Sequence, residues 1–163
     1  MFSANSALRI TMYILIIALL LLVFPICSIL VELFALNSAI GVWLLIGKWF
    51  VFWAVGVRLF IAGLRQTTQP EFTANKILGI KGPDVFVVVR EIGFSNLSMG
   101  LLGLWSIYKS EWVMPAALVG GLYYGLAGVG HLFKKQKNLL EKVAMYSDFF
   151  IFIVLLIFFV SQI

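Results

Sequence analysis

The sequence is short of almost everything that soluble enzymes use. Only 12% of its 163 residues are charged, and it has one cysteine and one histidine. A lone Cys27 excludes an intramolecular disulfide and a C-x-x-C redox pair within this chain. Its neighbours Phe24, Pro25 and Ile26 lack the small residues of a lipoprotein cleavage box, so Cys27 reads as a buried apolar thiol. A lone His131 excludes bis-histidine haem ligation by this chain alone, and the spacings of known zinc motifs are absent. No P-loop, dinucleotide fingerprint or G-x-S-x-G elbow is present. These gaps weigh against a stand-alone enzyme and leave no metal site to assign.

Hydrophobic residues are what the chain has instead. They make up 63% of it, and the mean hydropathy is +1.08. Charge-free runs of 22 residues extend from Ile10 to Val31 and, with His131 neutral, from Trp112 to Phe133. About 20 such residues cross the hydrocarbon core as a helix. The runs do not alternate, which excludes a β-barrel. The expected fold is all-α, a polytopic transmembrane helical bundle forming a single domain over residues 1–163, with five spans, or four if one helix is re-entrant. The first run exceeds the apolar core of a signal peptide and no A-x-A site follows it, so it is read as a retained helix.

The expected helices run over residues 8–34, 39–64, 85–108, 113–133 and 141–161. Pro25 should kink the first, and Ser38 can cap the second. The remainder of the last, from Phe149, is uncharged and reads as largely lipid-facing. Residues 65–84 form a cytoplasmic loop with room for a short interfacial helix from Pro70 to Leu78, and 134–142 a basic cytoplasmic loop. Arg9, Arg65, Lys76, Lys81, Lys134, Lys135, Lys137 and Lys142 fall at one end of these spans, with only Lys109 in the connection at the other. By the positive-inside rule the N-terminus is cytoplasmic and the C-terminus outside, in the inner membrane of a bacterium. The same rule accounts for the net charge of +5 without nucleic acid.

The third helix carries two unlike faces. Glu91, Ser95 and Ser98 share one, which reads as a polar site or cavity. Gly93, Asn96, Gly100 and Gly103 share the nearly opposite one, which reads as close helix–helix contact. Gly121, Gly125 and Gly128 form a similar small-residue face on the fourth helix, for internal packing or for a homo-oligomer. With this topology Arg58, Glu91, His131 and Asp148 converge on the cytoplasmic half of the bilayer, with Asn96 and Tyr124 a turn or two deeper. A lone charge there costs about 2.5–3.5 kcal/mol on insertion scales, so Arg58 should pair with Glu91 or Asp148. The constellation is either a structural polar core or a pocket for a lipid, a quinone or another small amphipathic ligand.

The pattern Glu91-x-Gly93-x-x-Asn96-Leu97-x-x-Gly100-x-x-Gly103, followed by Gly128-x-Gly130-His131, resembles a family of small uncharacterised bacterial membrane proteins similar to the DoxX-like group. The resemblance covers roughly residues 56–131. It implies a small helical bundle in which Glu91, Asn96 and His131 act together. DoxX-like relatives include subunits linked to quinone-dependent sulfur oxidation and maturation factors for redox enzymes. The missing cysteine pair and the fifth helix depart from that pattern. The leading expectation is a ligand-binding or accessory membrane protein. The alternatives are a quinone-linked oxidoreductase subunit, with quinone as its cofactor, and an oligomeric transporter.

Overall fold

The computed structural model describes the backbone from Ala4 to Ile163 and side chains at Leu8 and from Ile10 onward. The side chain of Arg9, the basic group expected ahead of the first span, lies outside the described residues. The described residues are mostly helical and include no strand, with five helices long and apolar enough to cross a membrane. We number the helices α1 (residues 4–35, with its span over Ile10–Ala35), α2 (Val42–Thr68), a short α3 (Phe72–Leu78), α4 (Pro83–Trp105), α5 (Ser110–Phe133, opening with one 3₁₀ turn) and α6 (Leu139–Ser161).

Two of the helices are not uniform. Pro25 does not break α1. The register widens to π-helix over Leu19–Val23 just ahead of it, and the α-helix resumes at Phe24. Such a π-turn absorbs the hydrogen bond that proline cannot make. π-Helix recurs over Val31–Ala35 at the end of α1 and over Val51–Arg58 in α2. The start of α2 also differs from expectation. Its N-cap is Gly41, and Ser38 only accepts a bond from the Ile40 amide in the preceding turn. At its other end α2 continues to Thr68, a full turn past the expected Leu64, because nothing before Gln69-Pro70 stops it.

The second span is the centre of the bundle. Leu45, Val51, Ala54 and Val55 on α2 have no solvent exposure. Its closest neighbour is α4, and glycines set the distance. A methyl group at Gly100 would stand 2.6 Å from the Phe60 backbone nitrogen, and one at Gly63 would stand 2.7 Å from the Gly93 carbonyl. At Gly103 it would strike the backbone of Gly56. The Gly93/Gly100/Gly103 face therefore does what its spacing suggests: it lets two backbones touch.

The Gly121/Gly125/Gly128 face packs internally. Phe149, Phe152 and Leu155 of α6 rest over these three glycines. From Phe149 on the last helix is mostly exposed, and its inward stripe of Ile151, Leu155 and Phe158 is buried. Their large side chains fill the grooves left by glycine on α5 and by Gly47 on α2. Hydropathy alone does not separate a lipid-facing residue from one facing another apolar helix. Cys27 is likewise exposed rather than buried. The inward stripe of α1 is Leu21, Pro25, Ile29 and Glu32, and Cys27 lies about 200° from Pro25 around the helix.

The two ends of the bundle are tied by polar contacts. At one end Glu32 of α1 holds Lys48 and the Trp49 indole N–H of α2, at 2.8 and 2.7 Å, and the Trp53 indole donates to Ser28. At the other end the Asn138 amide donates to the Lys76 and Ile77 carbonyls of α3. The Asn138 carbonyl oxygen caps α6 by accepting from the Glu141 amide.

The backbone contacts generate a direct test. Gly103→Leu should lower stability by about 1–3 kcal/mol or more through overpacking. Gly130→Ala, with nothing within 4 Å, should be neutral or stabilise by up to about 1 kcal/mol through helix propensity. Thermal unfolding of both variants in detergent measures the contrast.

Candidate functional site

Arg58 closes the π-helical stretch of α2 and is turned toward the bundle interior. Its Nη2 donates to Asp148 Oδ1 at 3.0 Å and to Ser147 Oγ at 3.1 Å, both on α6. The guanidinium carbon also stands 5.0 Å from the centre of the Tyr124 ring, a cation–π contact. Tyr124 is itself anchored, because its hydroxyl donates to the Ala54 carbonyl at 2.5 Å. Ala54 lies inside the same π-helical stretch, so one irregular segment supplies both the cation and the carbonyl that orients its aromatic partner. Of the two partners expected for Arg58, the structure selects Asp148.

Beside this pair lies a cavity of about 320 Å³. Ligand pockets typically occupy roughly 300–1,000 Å³. Its polar lining comes from Arg58 and Gln66 of α2, Asn96 of α4, Tyr123 and His131 of α5, and Asp148 of α6. Tyr13, Ile16, Ile17 and Leu20 of α1 supply another wall, and Phe72, Thr73, Ile77 and Leu78 of α3 a further one. Arg65 and Tyr124 also line it, and Arg65 stacks 3.5 Å from the Phe72 ring centre.

Five of the six expected site residues thus border one cavity: Arg58, Asn96, Tyr124, His131 and Asp148. Glu91 does not. It is exposed on the outer side of α4, together with Ser95 and Ser98, which bond back to the Glu91 and Phe94 carbonyls. The two faces of α4 are opposed, and the glycine face is the one drawn against α2. That leaves the Glu91 face outside the bundle and overturns its assignment to the cavity.

Asn96 sits among the glycines and reaches the cavity from the α2–α4 interface. It is 2% exposed, and its Nδ2 donates to Gln66 Oε1 at 2.6 Å. Tyr123 interacts with the same amide. His131 faces Glu141 of α6 at 3.3 Å, and Lys134 bonds the other oxygen of that carboxylate at 2.9 Å. The Lys134 ammonium also reaches the Leu78 carbonyl at the end of α3. Glu141 is 1% exposed, so this carboxylate links the helix ends beneath the cavity.

Sequence reasoning missed Tyr13, Gln66, Tyr123 and Glu141. Gln66 fell in the stretch read as loop, and Tyr13 in an apolar run where hydropathy hides a hydroxyl. Tyr123 was overlooked although it adjoins Tyr124. Glu141, the expected helix start, lies in the first turn of α6, and its burial depends on the return of α6 toward His131 and Lys134.

The architecture defines a polytopic α-helical membrane protein with a polar cavity between its spans. Its sequence matches a family of unknown function, DUF6790, over residues 11–162, and the chain belongs to that family. No curated protein and no solved structure matches it. The family match carries no link to the DoxX-like group.

The Arg58–Asp148 pair gives a prediction of its own. Removing one member of a buried pair costs about 3–5 kcal/mol because it strands the other charge. Asp148→Asn should therefore destabilise the protein strongly, and the double variant Arg58→Met/Asp148→Asn should recover much of the loss. Denaturant titration in mixed micelles, run as a double-mutant cycle, reads the coupling.

Proposed function

We propose that this membrane protein binds a small amphipathic molecule in the cavity beside Arg58. The polar head sits among Arg58, Asn96 and Tyr123, and the apolar part lies along Ile16, Ile17 and Leu20. One observation carries this reading. Two residues that border the same cavity each keep a buried polar atom without a partner, Arg58 Nη1 and Asn96 Oδ1. Leaving such a group unsatisfied costs about 1–3 kcal/mol. One atom is a donor and the other an acceptor. A head bearing both an acceptor oxygen and a hydroxyl or N–H group complements the two together.

The apolar walls and aromatic rings favour a lipid-like or quinone-like compound over a free ion. The distribution of basic residues supports a bacterial inner-membrane orientation with α3 and the 134–138 turn on the cytoplasmic side. In that orientation the cavity belongs to the inner leaflet half, and Lys134 and Arg65 lie near its cytoplasmic end.

Native mass spectrometry of gently extracted protein, with lipid and quinone analysis of the same sample, tests the proposal. The expected result is a stoichiometric small molecule that is lost in Asn96→Leu, weakened in Tyr123→Phe and retained in Glu91→Gln. Equal occupancy in wild type and Asn96→Leu would place any bound molecule elsewhere. An empty wild-type protein whose stability does not respond to added lipid or quinone would overturn ligand binding.

A further inference from the structure

The outward face of α4 poses a problem that the cavity does not solve. Arg90 and Glu91 are both exposed and lie about 11–12 Å along the helix from Pro83 at ~1.5 Å per residue. Glu91 is therefore below the surface of any bilayer that α4 spans, and a carboxylate has too short a stem to reach water as lysine and arginine do. Neither residue has an ion-pair partner among the described residues. They cannot satisfy one another, because adjacent residues on a helix diverge by about 100°. Their neighbours four positions away are Phe86, Phe94, Val87 and Ser95, which offer no opposite charge.

We infer that this face binds a second copy of the same chain, forming a two-fold symmetric dimer through α4. Charge complementarity selects the occupant. Val87, Phe94 and Leu101, spaced by seven and each more than half exposed, mark a line along α4. Arg90 lies on one flank of that line and Glu91 on the other. When two parallel helices meet about a two-fold axis along the membrane normal, the left flank of one lies against the right flank of the other. Arg90 of each copy then meets Glu91 of its partner at nearly the same depth. The pairing is reciprocal, so both charges of both chains are neutralised. A single unrelated helix would have to supply a matching cation and anion at the same two positions.

The remaining residues suit such a contact. Ser98 lies near the centre of the face, and its hydroxyl is already bonded to the Phe94 carbonyl, so it leaves no open donor at a close crossing. Ser95 does the same toward Glu91. The opposite face of α4 is fully committed to α2 through Gly93, Gly100 and Gly103, so dimer formation through the outer face leaves the bundle and its cavity undisturbed. The cavity reading and the dimer reading stand on different residues and fail independently.

The test uses full-length protein in lipid nanodiscs and in mild detergent. Single-molecule subunit counting should show a dimer for wild type. Glu91→Arg should weaken it about tenfold or more by setting like charges at the contact, and Arg90→Glu/Glu91→Arg, which swaps the charges, should restore it. In a Cys27→Ser background, Ser98→Cys should form a disulfide-linked dimer, whereas Leu122→Cys on the exposed face of α5 should not. Wild type that stays monomeric at high protein-to-lipid ratio would overturn the proposal. So would a dimer that is indifferent to Glu91→Arg, or one that crosslinks at Leu122→Cys and not at Ser98→Cys. A folded, monomeric double-swap variant beside a dimeric wild type would also refute the reciprocal pairing.

Discussion

The bundle depends on one buried ion pair. Arg58 on α2 and Asp148 on α6 are 90 residues apart in sequence and 3.0 Å apart in space. Neither charge is tolerable alone among apolar helices. Once paired, they fix the rotation of both helices about their axes. That rotation turns Gly47 and the α5 glycines toward the phenylalanines of α6, and it presents Tyr124 to the guanidinium. The π-helical stretch of α2 belongs to the same arrangement. It ends at Arg58 and contains Ala54, whose carbonyl receives the Tyr124 hydroxyl. A uniform α-helix would set Arg58 and Ala54 in a different angular relation. Departures of this kind concentrate where a side chain must be aimed rather than merely packed.

Two kinds of contact hold the helices together, and they act at different ranges. Between α2 and α4, and between α5 and α6, glycine removes bulk so that dispersion operates over long stretches of backbone or ring. At the ends, carboxylates gather donors. Glu32 takes Lys48 and Trp49 at one end, and Glu141 takes Lys134 with His131 beside it at the other. The cavity lies between these fastenings, where packing is interrupted by polar side chains that cannot interdigitate like leucine. Its position follows from the packing as much as from the residues that line it.

Much of this was legible before any coordinates. Long apolar runs, two of them free of charge, point to five spans, or four if one helix is re-entrant, because hydrogen-bonding physics leaves a helix as the only use for them. The glycine spacing on α4 announced its packed face. Depth matching gathered Arg58, Asn96, Tyr124, His131 and Asp148, since short connections force neighbouring helices antiparallel and fix the level of each residue. Depth says nothing of azimuth, however. Glu91 lies at a suitable depth and faces the wrong way, because one helix cannot turn both its glycine face and its acidic face inward. The same blindness explains the last helix. Ile151 and Ile153 are equally apolar, yet one is buried and the other exposed, and only the packing of the neighbouring helices decides between them. Glu32 and Lys48 lie 16 residues apart on different helices, and no periodicity relates them.

The separation of Arg58 from Asp148 also has a meaning in time. Chains are synthesised from the N-terminus at about 5–20 residues per second, so the arginine is made about 5–18 s before the aspartate that neutralises it. During that interval α2 carries a cation with no carboxylate from α6 to meet it. Arg58 can wait near the membrane surface, in the translocation machinery, or against water held by the unfinished bundle. Its final position becomes favourable only when the last helix arrives. Arrival of α6 is therefore the step that neutralises Arg58 and lays Phe149, Phe152 and Leu155 over the α5 glycines.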